Sequence, residues 1–149
     1  MELNDVKYLA LRLMNRHGLI TKGWNFAFDN ARRRLGLCSH RKKIISLSKY
    51  YIPLVDIEEI NDTILHEIAH ALVGSKNGHN HFWKQKAIEI GCNGKSHYHG
   101  EARVEPKYIG TCPKCGRTIS RHRRKRISCG KCSFVFDATS LFIWKLNEC

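Results

Sequence analysis

The stretch TILHEIAHALV, residues 63–73, restricts the folds open to this chain more than any other segment. Its apolar residues continue a helical period that begins at Ile57 and runs through Ile60, Ile64, Ile68 and Leu72, while Leu65, Ala69 and Val73 form a second stripe. A helix apolar over so much of its circumference belongs in the centre of a domain. Yet this one carries His66, Glu67 and His70 through its middle. Burying three unpaired ionisable groups costs roughly several kcal/mol, and a metal ion removes that cost. Residues four apart share a helical face, so His66 and His70 can direct imidazole nitrogens at one ion. Glu67 then falls beside the metal rather than on it, where its carboxylate can take a proton from water that zinc has acidified. Amide hydrolysis is the chemistry that suits such a site.

Two ligands do not complete a site. The spacing that continues HExxH with a glycine and a third histidine is absent, since Val73 and Lys76 occupy those positions. A downstream glutamate is an open option, with Glu89 nineteen residues beyond His70. Histidines in NGHNHFWK (His79, His81) and in KSHYHG (His97, His99) are others.

Local signals divide the remaining chain into elements. Residues 4–17 place Val6, Leu9, Ala10, Leu13 and Met14 on one stripe, with Asn4 as N-cap and Gly18 as the stop. Alternation at Trp24, Phe26 and Phe28, and again across Ile44 to Ser48, predicts short antiparallel strands with turns at Asp29/Asn30 and Ser39/His40. Asp56 with Glu59 three residues on is a capping box for the central helix, and Gly74 ends it. A third helix is expected from about Asn80 to Ile90, carrying Phe82, Trp83, Ala87 and Ile90.

The stretches HEIAHALVG and GHNHFWKQKAIEIGC, with a glycine–histidine pair ahead of a helix and an aromatic four residues after that histidine, resemble the SprT-like (Spartan) metalloproteases. The resemblance extends back through GWNFAFDNARRRLGLCSHRKKIISLSKYYI and so covers most of the chain. It departs at Asn80 and His81, where many members have glycine and a small residue. It implies a zincin-like α+β domain, helices packed on a small antiparallel sheet, over residues 1–105. It also implies His79 as the third zinc ligand beside His66 and His70, with His81 the alternative, Glu67 as the catalytic base, and Glu89 as a helix-surface charge. His81 and Tyr50 are the candidates for stabilising an oxyanion.

Beyond Pro106 the character changes. TCPKCGRTISRHRRKRISCGKC sets Cys112, Cys115, Cys129 and Cys132 in two CxxC knuckles, the spacing of a closed tetrahedral zinc site. Residues 106–149 therefore read as a small β zinc ribbon whose metal is structural, bringing the expected zinc count to two ions per chain. Members of the resembled family commonly carry such a ribbon after the protease domain. Cys38, Cys92 and Cys149 are left over as ordinary small thiols.

Between the knuckles lie Arg121, Arg123, Arg124, Lys125 and Arg126, expected on a hairpin. From residue 107 onward ten Lys/Arg face two Asp/Glu, and the whole chain has a formal charge of +13. So large an excess implies a polyanionic partner, with salt-sensitive phosphate contacts largely blind to sequence. Phe134, Phe136, Phe142 and Trp144 can stack on unpaired bases, although packing within the ribbon accounts for them as well. The absence of a long apolar run and the paired CxxC thiols predict an intracellular protein, cytoplasmic or nucleoid-associated. The resemblance to the SprT-like family implies zinc-dependent cleavage of proteins bound or crosslinked to DNA. The alternative is a nucleic-acid-binding protein whose HExxH metal is structural, and Glu67 separates the two, because a structural site needs no carboxylate beside its metal.

Overall fold

The computed structural model describes residues 2–96 and 102–147, which form two compact units divided between Val104 and Glu105. His97, His99 and Cys149 lie outside the described residues.

In the first unit, helix α1 (Leu3–Arg16) buries Val6, Ala10, Leu13 and Met14, the stripe its period predicts. The helix begins two residues earlier than expected, with Glu2 rather than Asn4 at the N-cap. Helix α2 (Ile57–Val73) starts where Asp56 accepts a hydrogen bond from the Glu59 amide at 2.8 Å, and Gly74 closes it. Ile60, Ile64, Leu65, Ile68 and Ala69 of α2 are buried, whereas Ile57 at its first turn remains 43% exposed. Helix α3 (His81–Glu89) contributes Trp83 and Ala87, both fully buried, to the same core. These residues pack with Trp24, Phe26, Ile45 and Leu47 in one cluster. Phe82, on the same helix, is 55% exposed beside His81.

The sheet joins β1 (Asn25–Asp29), β2 (Gly36–Ser39) and β3 (Ile44–Ser48) in the order β1-β3-β2. β2 and β3 pair antiparallel, as expected, but β1 and β3 run parallel, so this sheet is mixed. β1 takes the free side of β3, and in the parallel sense its end at Asp29 lies at the same end of the sheet as the start of β2 at Gly36, so the 30–35 loop has only to cross β3. β3 is thereby central, and Ile45, Ser46, Leu47 and Ser48 are all buried. Its two serines are satisfied: Ser46 donates to Asp29 Oδ2 at 2.7 Å, and Ser48 donates to the Ala31 carbonyl. Asp29 also accepts from the Ala31 amide and from Arg34, at 3.0 and 2.8 Å, which pins the start of the β1–β2 loop.

The second unit is an antiparallel sheet of β4 (Tyr108–Thr111), β5 (Thr118–Arg121) and β6 (Ile143–Leu146), with β4 in the centre. Its core is small: Cys112, Cys129 and Phe142, with Ile119, Ile127 and Trp144 packed against them. So little buried apolar surface cannot hold a domain of this length by itself.

Candidate metal centres and their surroundings

α2 carries His66 and His70 one turn apart, and a loop of seven residues brings the chain back so that His79 meets them just before α3. That loop is held by side-chain amides. Asn77 Nδ2 donates to the Val73 carbonyl at 2.6 Å, and Asn80 Nδ2 donates to Asn77 Oδ1 at 3.1 Å. Asn80 Oδ1 in turn caps α3, accepting from the amides of Phe82 and Trp83. The departure from glycine at position 80 thus performs the N-cap role for which asparagine is suited. Neither Asn77 nor Asn80 stands out in the sequence as a site residue; an Asn immediately ahead of an apolar helical run is the signal that points to it.

The three Nε2 atoms converge: His66 to His79 is 3.1 Å, His66 to His70 is 3.3 Å, and His70 to His79 is 3.0 Å. These imidazoles cannot satisfy one another in a closed triangle of hydrogen bonds, because all three contacts join Nε2 atoms and in a neutral ring one nitrogen cannot both donate and accept. A tetrahedral zinc ion with nitrogens at about 2.05 Å would separate them by about 3.3 Å, so the triangle fits that ion. Burial, followed by the neighbouring charges of His66, His79 and His40, pushes the His70 imidazole down to about 4, keeping it in the neutral form that binds metal.

Trp83 lies beneath all three rings, with centroids 4.6 Å from His66, 5.2 Å from His70 and 4.7 Å from His79. Its indole N–H donates to the His66 carbonyl at 3.3 Å, tying α3 to α2 at the site. The aromatic that marks the family pattern is therefore the floor of the histidine cluster.

Glu67 points away from the core stripe toward β2 and is 8% exposed. A Cβ on Gly36 would lie 2.7 Å from Thr63 Cγ2 and 3.1 Å from Glu67 Oε1, so only glycine lets the strand approach the helix there. Burial pushes the Glu67 carboxyl up to about 7, opposed by the positive charge of Arg34. Cys38, two residues along β2, is pushed up to about 12 by burial and by the Glu67 charge, which leaves it an unreactive thiol. Gly36, invisible as a site residue in the sequence, sets the spacing between strand and helix.

The other candidates separate clearly. His81 stacks on Phe82 at 3.9 Å and is not part of the histidine group. Glu89 is ion-paired with Lys86 at 3.1 Å on the exposed face of α3 and does not enter the site. Tyr50 is engaged by Arg32, whose guanidinium lies 4.3 Å over its ring.

In the second unit the four cysteines form the other group. Cys112 and Cys132 sulfurs are 3.8 Å apart and Cys115 and Cys129 sulfurs 3.7 Å, against about 3.75 Å for thiolates on tetrahedral zinc. Backbone N–H groups of Cys115 and Lys114 hold the Cys112 thiol below its usual range. Burial acts upward on Cys129, but amides of Cys132 and Lys131 outweigh it and bring that thiol down to about 6. Each knuckle thus holds one thiol toward the thiolate form that metal requires, whereas Cys132 is pushed up to about 12, first by its hydrogen bond with Cys115 and then by burial.

The basic run does not sit on a hairpin. Arg121 ends β5, and Arg123, Arg124, Lys125 and Arg126 follow in an irregular exposed segment. Trp144 fastens that segment, its indole N–H donating to the Lys125 carbonyl at 2.8 Å. Arg124 lies over Tyr108 and Arg126 over Phe136, at 5.5 and 5.1 Å. Of the four aromatics, Phe142 is buried, while Phe134 and Phe136 are exposed.

A family model for the SprT-like family matches residues 9–107. No curated protein matches the chain. Among the described residues no helix is long and apolar enough to cross a membrane.

Proposed function

The chain belongs to the SprT-like family, with a metalloprotease-like domain, and from that premise we propose that it is a zinc-dependent endopeptidase acting on proteins bound or crosslinked to DNA. One observation carries the catalytic half of this reading. The histidine group has three members among the described residues, whereas the cysteine group has four. Structural zinc sites are closed by four protein ligands, and catalytic ones keep a position open. Zinc held by His66, His70 and His79 would supply Lewis acidity, polarising a peptide carbonyl and acidifying water.

The protein's own residues do the rest. Glu67 takes the proton from the attacking water and delivers it to the departing amine, a transfer for which a buried carboxylate next in sequence to His66 is placed. Gly36 and Thr63 hold the Glu67 side chain from one side. Trp83 fixes the orientation of the three imidazoles and keeps water from their undersides. β2, an edge strand lying against Glu67, offers unpaired backbone to an extended substrate chain.

DNA is supported as the partner by the five exposed basic residues at 121 and 123–126 and by the exposed rings of Phe134 and Phe136. Phosphate contacts of this kind would hold the enzyme on DNA without regard to sequence. The test is cleavage of a DNA-bound protein by wild type and by Glu67→Gln, with and without DNA. Cleavage by wild type only, strongest with DNA, and two zinc ions in both proteins is the expected result. Equal inactivity of both at full zinc occupancy would sink the peptidase reading.

A further inference from the structure

The positive charge of the first unit is not spread over it. Residues 30–55 contain Arg32, Arg33, Arg34, Arg41, Lys42, Lys43 and Lys49 and no Asp or Glu, while the rest of residues 1–106 holds nine Lys/Arg against eleven Asp/Glu. The entire excess of this unit therefore lies in the segment that forms β2, β3 and their loops. The fold sorts these residues to the two ends of β2. At one end the β1–β2 loop carries Arg32–Arg34, and Lys49 follows β3. Arg32 and Lys49 meet at Tyr50, an exposed ring with the Arg32 guanidinium at 4.3 Å and Lys49 Nζ at 5.7 Å. At the other end the 40–43 turn carries Arg41, Lys42 and Lys43, all exposed, and Lys43 Nζ reaches the Lys22 carbonyl at 3.2 Å. The acidic neighbour of the first cluster, Asp29, is already committed to Ser46, Ala31 and Arg34.

We propose that this margin of the protease unit is a nucleic-acid contact surface in its own right, distinct from the basic run of the ribbon, and holds the phosphate backbone alongside Glu67. The inference rests on the reading that nucleic acid is the partner. Proximity to the site is direct: Gly36, next to the first cluster, is packed on Glu67. Geometry favours a polyanion over an acidic peptide. β2 itself, Gly36 to Ser39, bears no charge, so a peptide paired along it meets no cation. The two clusters are separated by the length of that strand, roughly 13 Å, or about four base-pair rises along the axis of a duplex. A regular array of phosphates can engage both ends at once.

The experiment compares two charge-neutralised versions of the full chain. One carries Arg33→Gln, Arg41→Gln, Lys42→Gln and Lys49→Gln; the other carries Arg123→Gln, Arg124→Gln, Lys125→Gln and Arg126→Gln. Binding to a labelled 20-nucleotide strand and to its duplex is followed by fluorescence anisotropy across a salt series. Thermal midpoint and zinc content equal to wild type establish that each variant is folded. If the four protease-side residues touch phosphates, the slope of log affinity against log salt falls by about three, at about 0.7 to 0.9 for each phosphate no longer neutralised. Affinity at about 100 mM salt drops at least tenfold, and the ribbon variant retains a measurable slope. A protease-side variant with wild-type slope and affinity overturns the proposal while leaving the ribbon as the DNA-binding element. Unchanged DNA binding combined with slower cleavage of acidic peptides alone overturns it in favour of substrate charge. No DNA binding by wild type overturns it together with the DNA half of the proposed function.

Discussion

Replacing Gly36 with alanine tests how tightly the Glu67 carboxylate, the proposed base, is held. The backbone of Gly36 does not have the positive φ that favours glycine, so the substitution adds one methyl group and no backbone strain. That methyl would sit 2.7 Å from Thr63 Cγ2, 3.1 Å from Glu67 Oε1 and 3.2 Å from Glu67 Cγ, where ordinary contact begins at 3.4 Å. β2 and α2 must therefore part by about 0.7 Å, or the Thr63 and Glu67 side chains must turn away. Overpacking of this kind costs about 1–3 kcal/mol of stability. A shift approaching 1 Å at a catalytic group lowers turnover by up to about a hundredfold. The expected result for Gly36→Ala is thus kcat reduced about 10- to 100-fold with both zinc ions retained. Thr63→Ser removes the methyl at the closest approach and keeps the hydroxyl, so Gly36→Ala/Thr63→Ser is expected to recover much of the missing rate. The assay is initial-rate cleavage of a DNA-bound protein, alongside zinc measured by a colorimetric chelator. Wild-type turnover in Gly36→Ala, or a double variant no better than the single, would refute the argument that this strand positions Glu67.

Two further outcomes follow from the structure. Cys129→Ser removes a fully buried ligand from a unit with a minimal core, so zinc falls from two ions to one and residues 105–147 become protease-sensitive; zinc analysis with limited proteolysis checks this, and a variant retaining two ions would contradict it. Burial raises the Asp29 carboxyl, but bonds from Ser46, Ala31 and Arg34 outweigh it and hold the group below its usual value. Its stabilising contribution is therefore complete above the unfolded value of about 3.9 and is lost as pH falls through the folded one. Asp29→Asn should lower the thermal midpoint at pH 7 and show a smaller difference from wild type at pH 3; an equal difference at both would refute the assignment.

Much of the site was legible because its signals are local. The spacing of His66 and His70, the caps at Asp56 and Gly74, and the two cysteine knuckles each lie within one helical turn or one tight turn. Periodicity, backbone capping and thiolate geometry act over that range, and no distant part of the chain can change them. The choice of His79 over His81 and Glu89 was not of that kind on spacing alone. It depends on where a seven-residue loop held by Asn77 and Asn80 delivers the chain. Family resemblance supplied the residue, and the folded loop supplied the reason.

Strand pairing lay further out of reach. The alternation at Trp24 to Phe28 identifies a strand but carries neither a partner nor a direction, and only the folded sheet sets β1 parallel on the side of β3 opposite β2. Gly36 likewise reads as an ordinary glycine until β2 is laid on α2, when its missing side chain becomes the space that Glu67 occupies. The cations of residues 30–55 are visible in one dimension as charge, and become two clusters flanking a neutral strand only through that same pairing. His66, His70, the four knuckle cysteines and the helix beneath the histidines follow from the order of residues alone, because neighbours a few positions apart set them. What stands around those ligands is a property of the folded chain, because contacts between residues distant in sequence depend on which loop closures and strand pairings bury the most apolar surface.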